Sequence, residues 1–194
     1  LGIPRGESRK LAAKGRVTVN GVLTKKADTQ IEEATAEVAV DGRLLTGAYQ
    51  KYVYLMLNKP EGVVSAAQDK RDTTVVDLVK DAFPRRQLFP AGRLDKTSTG
   101  FVLLTDDGAF ANLLTHPSGG VGKLYRVTVR PRATEEQVVK MSSGVVLDDG
   151  VKTQPAVIHV VVDEPGRTVL EITLHEGRNR QIRRMCSAVG LQGV

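Results

Sequence analysis

Two short runs near the start of the chain alternate polar and apolar positions: Arg16-Val17-Thr18-Val19-Asn20-Gly21-Val22 and Ala36-Glu37-Val38-Ala39-Val40-Asp41-Gly42. Alternation with period two predicts half-buried strands, and the Asn-Gly that follows the first run is a strong hairpin signal. Ahead of them, residues 7–15 read as a helix, with Arg5 and Arg9, then Lys10 and Lys14, spaced i,i+4 so that each pair shares a face. Helix, strand, turn, strand and a closing Asp-Gly make a small α+β module. Thr46-Gly47-Ala48 reads as the linker that follows it.

The longer remainder is dominated by strand patterns. Tyr52-Val53-Tyr54-Leu55-Met56-Leu57 is an unbroken apolar run that predicts a buried strand, ended by Asn58-Lys59-Pro60-Glu61-Gly62 because Pro cannot donate to a ladder. A short helix is predicted over 75–80 with Thr74 as its cap, and another after Asp106-Asp107-Gly108, where the two acids read as N-terminal caps. Lys123–Val129 alternates with Tyr125, Val127 and Val129 on one side, and Thr134-Glu135-Glu136-Gln137 is a capping box that opens a helix through Met141. Strands follow at Ala156–Val162 and Thr168–His175, the second with Leu170, Ile172 and Leu174 inward. In the last element Ile182, Met185, Cys186 and Val189 define one apolar helical face, ended by Gly190. Cys186 lies on that stripe and reads as a core residue.

Composition narrows the class. With 194 residues, 41% of them apolar, the chain can fill a real core. No apolar segment approaches the ~20 residues that cross a bilayer, and Leu1-Gly2-Ile3-Pro4-Arg5 lacks the apolar stretch of a signal peptide. One cysteine excludes an intrachain disulfide and suggests a reducing compartment. The net charge of +6 resides in residues 1–26, where Arg5, Arg9, Lys10, Lys14, Arg16, Lys25 and Lys26 face Glu7 alone. Such a local excess points to a polyanion, while 4% aromatic residues argue against a wide base-stacking platform. No nicotinamide fingerprint, phosphate-loop motif or zinc-ligand spacing is visible.

The candidate chemistry lies in Ala91-Gly92-Arg93-Leu94-Asp95-Lys96-Thr97-Ser98-Thr99-Gly100, a glycine-punctuated loop with one acid between two cations, running into an apolar strand. Neighbouring positive charge favours the ionised carboxylate, which can serve as a nucleophile. Asp95 can equally be a turn residue closing on Ser98 or Thr99, because Asp bonds readily to nearby backbone amides.

Three of these segments resemble the bacterial ribosomal RNA pseudouridine synthases of the RsuA family: Gly92-Arg93-Leu94-Asp95 through Thr105-Asp106-Asp107-Gly108, Lys123-Leu124-Tyr125, and Glu176-Gly177-Arg178-Asn179-Arg180-Gln181-Ile182-Arg183-Arg184-Met185. Leu55-Met56-Leu57-Asn58-Lys59-Pro60-Glu61-Gly62 is similar to the strand and turn that open the catalytic domain there. Gly15-Arg16-Val17-Thr18-Val19-Asn20-Gly21 and Val38-Ala39-Val40-Asp41-Gly42 resemble an S-four-like RNA-binding domain, whose first helix would lie before Leu1. The resemblance implies an α+β architecture: a small S-four-like domain over 1–47 and a larger synthase domain over 52–194, built on a mostly antiparallel mixed sheet with flanking helices. The family chain continues past the last helix, so the end at Val194 suggests a missing C-terminal part, and Ser118-Gly119-Gly120-Val121-Gly122 departs from the bulkier loop of relatives.

By the same resemblance, Asp95 is the catalytic nucleophile toward the sugar, or toward the base; Arg183 pairs with it and Tyr125 stacks on the uracil. Ile182 would support the base pocket. Arg93 and Lys123 become substrate or phosphate contacts, as do Arg5, Arg9, Lys10, Lys14 and Arg16 for RNA held by the small domain. Lys59, Lys70 and Arg71 flank loops and could touch RNA. The implied reaction needs no cofactor and no metal. The implied partner is ribosomal RNA or an assembling ribosomal subunit, met by a cytoplasmic monomer with no membrane contact. Thr105-Asp106-Asp107-Gly108 and Gly144-Val145-Val146-Leu147 lie closer to the small-subunit branch, while the motif around Ile182 also occurs in large-subunit enzymes. A non-catalytic RNA-binding assembly factor is the competing class, but binding alone does not require Asp95, Tyr125 and Arg183 together.

Overall fold

A computed structural model describes residues 3–32, 35–45 and 52–193. The linker expected at Thr46-Gly47-Ala48 lies outside the described residues. The chain divides into two compact units, Leu1–Gly108 and Ala109–Val194.

The first unit opens with helix α1 (Arg5–Ala13), which starts two residues ahead of the sequence expectation because the Pro4 carbonyl already accepts from the Glu7 and Ser8 N–H groups at 2.9 and 3.1 Å. Strands β1 (Val17–Val19), β2 (Val22–Leu23), β3 (Val38–Val40) and β4 (Arg43–Leu44) form an antiparallel sheet in the order β2-β1-β3-β4. Both hairpin turns are left-handed at their two central residues: Asn20 and Gly21 have φ of 50° and 78°, Asp41 and Gly42 of 52° and 75°. Asn-Gly and Asp-Gly tolerate this backbone, and its twist matches that of the flanking strands.

The same unit contains a second antiparallel sheet, β5-β7-β6, made of β5 (Tyr54–Lys59), β6 (Phe89–Ala91) and β7 (Gly100–Thr105). The run 52–57 does not form a strand buried on both faces. Leu55 and Leu57 pair with Leu104 and Val102 and turn inward, whereas Tyr54 and Met56 remain 46% and 85% exposed. An unbroken apolar run does not reveal by itself which faces are covered. Strand β6 escaped the sequence reading because it is short and contains Pro90, a residue tolerated at a sheet edge.

Two further expectations fail here. Residues 75–80 form successive turns rather than a helix. Thr74 does cap the segment, since its hydroxyl accepts from the Asp77 N–H at 3.1 Å and the Asp77 carboxylate accepts from the Thr74 N–H at 2.9 Å. Valines at 75, 76 and 79, followed by Pro84, oppose its extension into a helix. Asp106 is engaged away from its own helix. Its carboxylate accepts from the Val53 N–H at 2.8 Å and from Arg86 at 2.9 Å, fastening the entrance of β5, while Asp107 accepts from the Tyr54 hydroxyl at 2.6 Å. That bond is the main reason the Tyr54 phenol is pushed up to about 12. The core of this part is Val63, Val75, Val102 and Leu104, with Leu55, Leu57 and Leu94 packed against it.

Helix α2 (Gly108–Thr115) starts at the last residue of the first unit, and the second unit carries the rest of it with β8 (Lys123–Arg130), α3 (Glu135–Ser143), β9 (Val157–Glu164), β10 (Arg167–Leu174), α4 (Gln181–Ala188) and β11 (Gln192–Gly193). Its antiparallel sheet runs β11-β8-β10-β9. The capping box at Thr134 forms as expected, and Val127, Val129, Leu170, Ile172, Leu174, Met185 and Cys186 are buried together in one core. The named ladders are thus antiparallel and lie in separate sheets rather than one mixed sheet; a parallel bridge, Val64 to Thr74, is isolated. Among the described residues no helix is long and apolar enough to cross a membrane.

Candidate active site

Asp95 sits half-buried in the loop between β6 and β7, which leaves β6 through Gly92, a residue with φ of 96° that only glycine adopts without strain. The backbone around the acid is held at three successive residues. The buried Ser65 hydroxyl donates to the Leu94 carbonyl and accepts from the Leu94 N–H, both at 3.0 Å. The Asp95 carbonyl accepts from the Ser98 N–H at 3.0 Å, so a turn forms where expected. The Lys96 carbonyl accepts from the Gly62 N–H at 2.8 Å. Of the two flanking cations, Arg93 is exposed and Lys96 is committed to Asp72 by a 2.7 Å ion pair.

Lys59 corrects the sequence reading. It is fully buried, which excludes the RNA contact expected of it. Its ammonium donates to the carbonyls of Pro60 at 2.8 Å and Lys96 at 3.3 Å, tying the end of β5 to the loop that carries Asp95. Burial lowers its pKa below the ordinary 10.5, opposed by the negative charges of Glu61 and Asp95. The signal was present in the sequence: continuing the inward positions Leu55 and Leu57 by two residues reaches Lys59. Lys70 and Arg71 are exposed.

The other proposed site residues belong to the second unit. Tyr125 is half-buried on β8 opposite Ile172, packed against the core, and Ile182 joins the same core from α4. Lys123 begins β8, its ammonium close enough to Gly177 that a Cβ there would lie 3.6 Å away. Arg183 donates to the Gly193 carbonyl at 3.2 Å and, with Arg180 and Arg184, lines an open pocket of about 430 Å³ that Val146, Leu147 and Asp148 also border. Arg184 is held by Asp148 and Asp149, and these contacts raise its pKa. Among the described residues no group of three or more His, Cys, Asp or Glu side chains is placed to hold a metal ion.

Along α1, Arg5, Arg9, Lys10 and Lys14 are exposed, as is Arg16 beyond it. Lys10, Lys14 and Arg16 share a pocket of about 400 Å³ with Glu7 and Leu11. Arg16 is engaged within the fold: its Nε donates to Asp41 at 2.8 Å, and a second nitrogen pairs with the other oxygen of that carboxylate.

The sequence profile of the family described as RNA pseudouridylate synthase matches residues 53–188. The chain belongs to this family. An uncharacterized RNA pseudouridine synthase of Bacillus subtilis, YtzG, is 38% identical over 190 residues, covering 98% of this chain and 79% of that one. Ribosomal large subunit pseudouridine synthase B of the same organism is 37% identical over 188 residues, covering 96% of this chain and 75% of that one. Among solved structures, a crystal structure of a pseudouridylate synthase superimposes with a TM-score of 0.67 at 32% identity, covering 100% of this chain and 80% of the other. The protein is therefore an RNA pseudouridine synthase, an isomerase, with the α+β fold of its family. Glu176, a buried acid shortly before α4 in the second unit, is a further residue to which the sequence reading gave no role of its own.

Proposed function

We propose that this synthase converts a specific uridine of ribosomal RNA to pseudouridine, with Asp95 as the nucleophile. The observation that carries the assignment is the presentation of Asp95, half-buried on a loop clamped at Leu94, Asp95 and Lys96. A preorganised carboxylate of this kind suits attack on a sugar carbon. The target nucleotide is flipped out of the RNA stack to reach it. Asp95 attacks C1′ as the bond from C1′ to N1 breaks, and uracil departs with the electron pair. The base turns, C5 bonds to C1′, and the carboxylate is released. Loss of the proton from C5 and protonation of N1 complete the isomerisation, with no net redox change. In this reading Arg183 pairs with Asp95, Tyr125 stacks on the uracil and lies near the departing proton, and Ile182 walls the base. Arg93 and Lys123 contact neighbouring phosphates.

Residues 1–47 act as an S-four-like module, gripping RNA through Arg5, Arg9, Lys10, Lys14 and Arg16 by shape and phosphate contacts rather than base reading. The motifs Thr105–Gly108 and Gly144–Leu147 favour small-subunit RNA of the RsuA type. The large-subunit reading is supported by the 37% identity to a protein named for that subunit. The enzyme works as a cytoplasmic monomer on ribosomal RNA or an assembling subunit. Purified Asp95→Asn should bind ribosomal RNA with unchanged affinity and form no pseudouridine; measurable product would overturn the nucleophile assignment. Mapping labelled pseudouridine in RNA from a strain lacking the protein identifies the subunit.

A further inference from the structure

We propose that Glu176 is a positioning residue for Arg183, acting through Gln181. This inference rests on the assignment of Arg183 above. Helix α4 starts without a conventional cap: Arg180, the residue at its N-cap, is left-handed with φ of 47°, and its side chain makes no capping bond. Buried side chains hold the first turn instead. The Gln181 amide nitrogen donates to Glu176 Oε1 at 2.6 Å, and the Gln181 amide oxygen accepts from the Arg178 N–H at 3.0 Å. Glu176 accepts in addition from the Gln154 N–H at 2.8 Å and from Arg178 Nε at 3.2 Å. Glu176 and Gln181 are only 9% and 4% exposed, so these bonds form where water does not compete freely.

The acid is reached by extending the inward series Leu170, Ile172, Leu174 by two residues, so a charged group occupies the next position after three buried hydrophobes. A carboxylate placed there needs donors, and those it finds come from the Gln154 loop, the Arg178 turn and the first residue of α4. It therefore fixes the rotation and axial position at which α4 begins. Ile182 and Arg183 follow Gln181 directly, so an error at that start is transmitted to both. Displacements of about 1 Å in a catalytic arrangement can cost roughly a hundredfold in rate.

The test compares wild type, Glu176→Gln, Gln181→Met and the exchanged pair Glu176→Gln/Gln181→Glu in the full chain, on an RNA transcript carrying the mapped target uridine. Thermal unfolding, RNA affinity and single-turnover pseudouridine formation are measured for each. Gln181→Met removes the amide that donates to Glu176 and the oxygen that accepts from the Arg178 N–H, yet leaves Glu176 its own bonds to Gln154 and Arg178 Nε, so it serves if Glu176→Gln does not fold. Each folded single variant should bind RNA within about twofold of wild type and react about tenfold or more slowly. The exchanged pair restores an amide facing a carboxylate and should recover most of the rate. A folded single variant with the wild-type rate, or an exchanged pair no faster than the singles, overturns the proposal. Arg183→Ala is run alongside. If it keeps the wild-type rate, the assignment of Arg183 fails; if it is impaired while Glu176→Gln and Gln181→Met are not, only the positioning role fails.

Discussion

A single hydroxyl, that of Ser65, satisfies both backbone groups of Leu94, donating to its carbonyl and accepting from its N–H at 3.0 Å each. In a sheet these groups would be met by a neighbouring strand. Here a side chain takes the strand's place, one residue before Asp95.

Ser65→Ala therefore removes two hydrogen bonds at once and leaves a part-buried N–H and C=O without this partner. Unfolding in denaturant should show a loss of about 1–3 kcal/mol. Because the same groups orient the loop, single-turnover pseudouridine formation should fall at least about tenfold while RNA affinity holds. An unchanged rate in the folded variant would show that the clamp does not govern the acid.

Lys59 gives a pH signature. Its folded-state pKa lies below the unfolded value of 10.5, so between those two values the unfolded chain binds more protons. Stability contributed at this site then rises with pH across that window and levels off above 10.5. In Lys59→Met the rise is absent. Wild-type stability relative to Lys59→Met should increase from neutral pH toward 10.5 when denaturant curves are compared at each pH; a constant difference would contradict the buried ammonium.

The basic helix makes a separable prediction. Lys10→Ala/Lys14→Ala should weaken binding to ribosomal RNA similarly across sequences and reduce the magnitude of the salt slope by about 1 for each phosphate no longer neutralised. Arg16→Ala should change affinity less, because Asp41 already engages its guanidinium. Binding titrations at several salt concentrations distinguish the two variants.

Burial pushes the Cys186 thiol up to about 11, and the side chain is fully buried. A thiol reagent at pH 8 should leave the native protein unlabelled over the time in which the denatured chain reacts completely, since the thiolate is the reactive form. Rapid native labelling would place Cys186 outside the core.

The second unit was the more legible in sequence. The stripe Leu170, Ile172, Leu174, the capping box at Thr134 and the helical face of Met185 and Cys186 all occur as read, because each is set by a local period or a local bond. The failures share a different cause. Turns replaced the helix over 75–80 although its cap was real, and Asp106 bonded the backbone of Val53, just ahead of β5, and an arginine. Partners chosen across the fold leave no spacing to read. Lys59 and Glu176 lie between these cases: both continue an inward alternation, yet a charged side chain at the next step reads as the end of the strand and not as a buried strut. Asp95 was legible as a candidate, but Ser65, 30 positions earlier, carried no mark of its duty.

The clamped loop also bears on how this enzyme meets its substrate. A mobile loop must lose conformational freedom when RNA arrives, and that entropy is subtracted from affinity. With Leu94, Asp95 and Lys96 already fixed by Ser65, Ser98 and Gly62, the ordering occurs once, when the protein folds. Binding energy from the RNA is then free for the costlier task of extracting one nucleotide from its stack, so the rearrangement on encounter falls mainly on the nucleic acid.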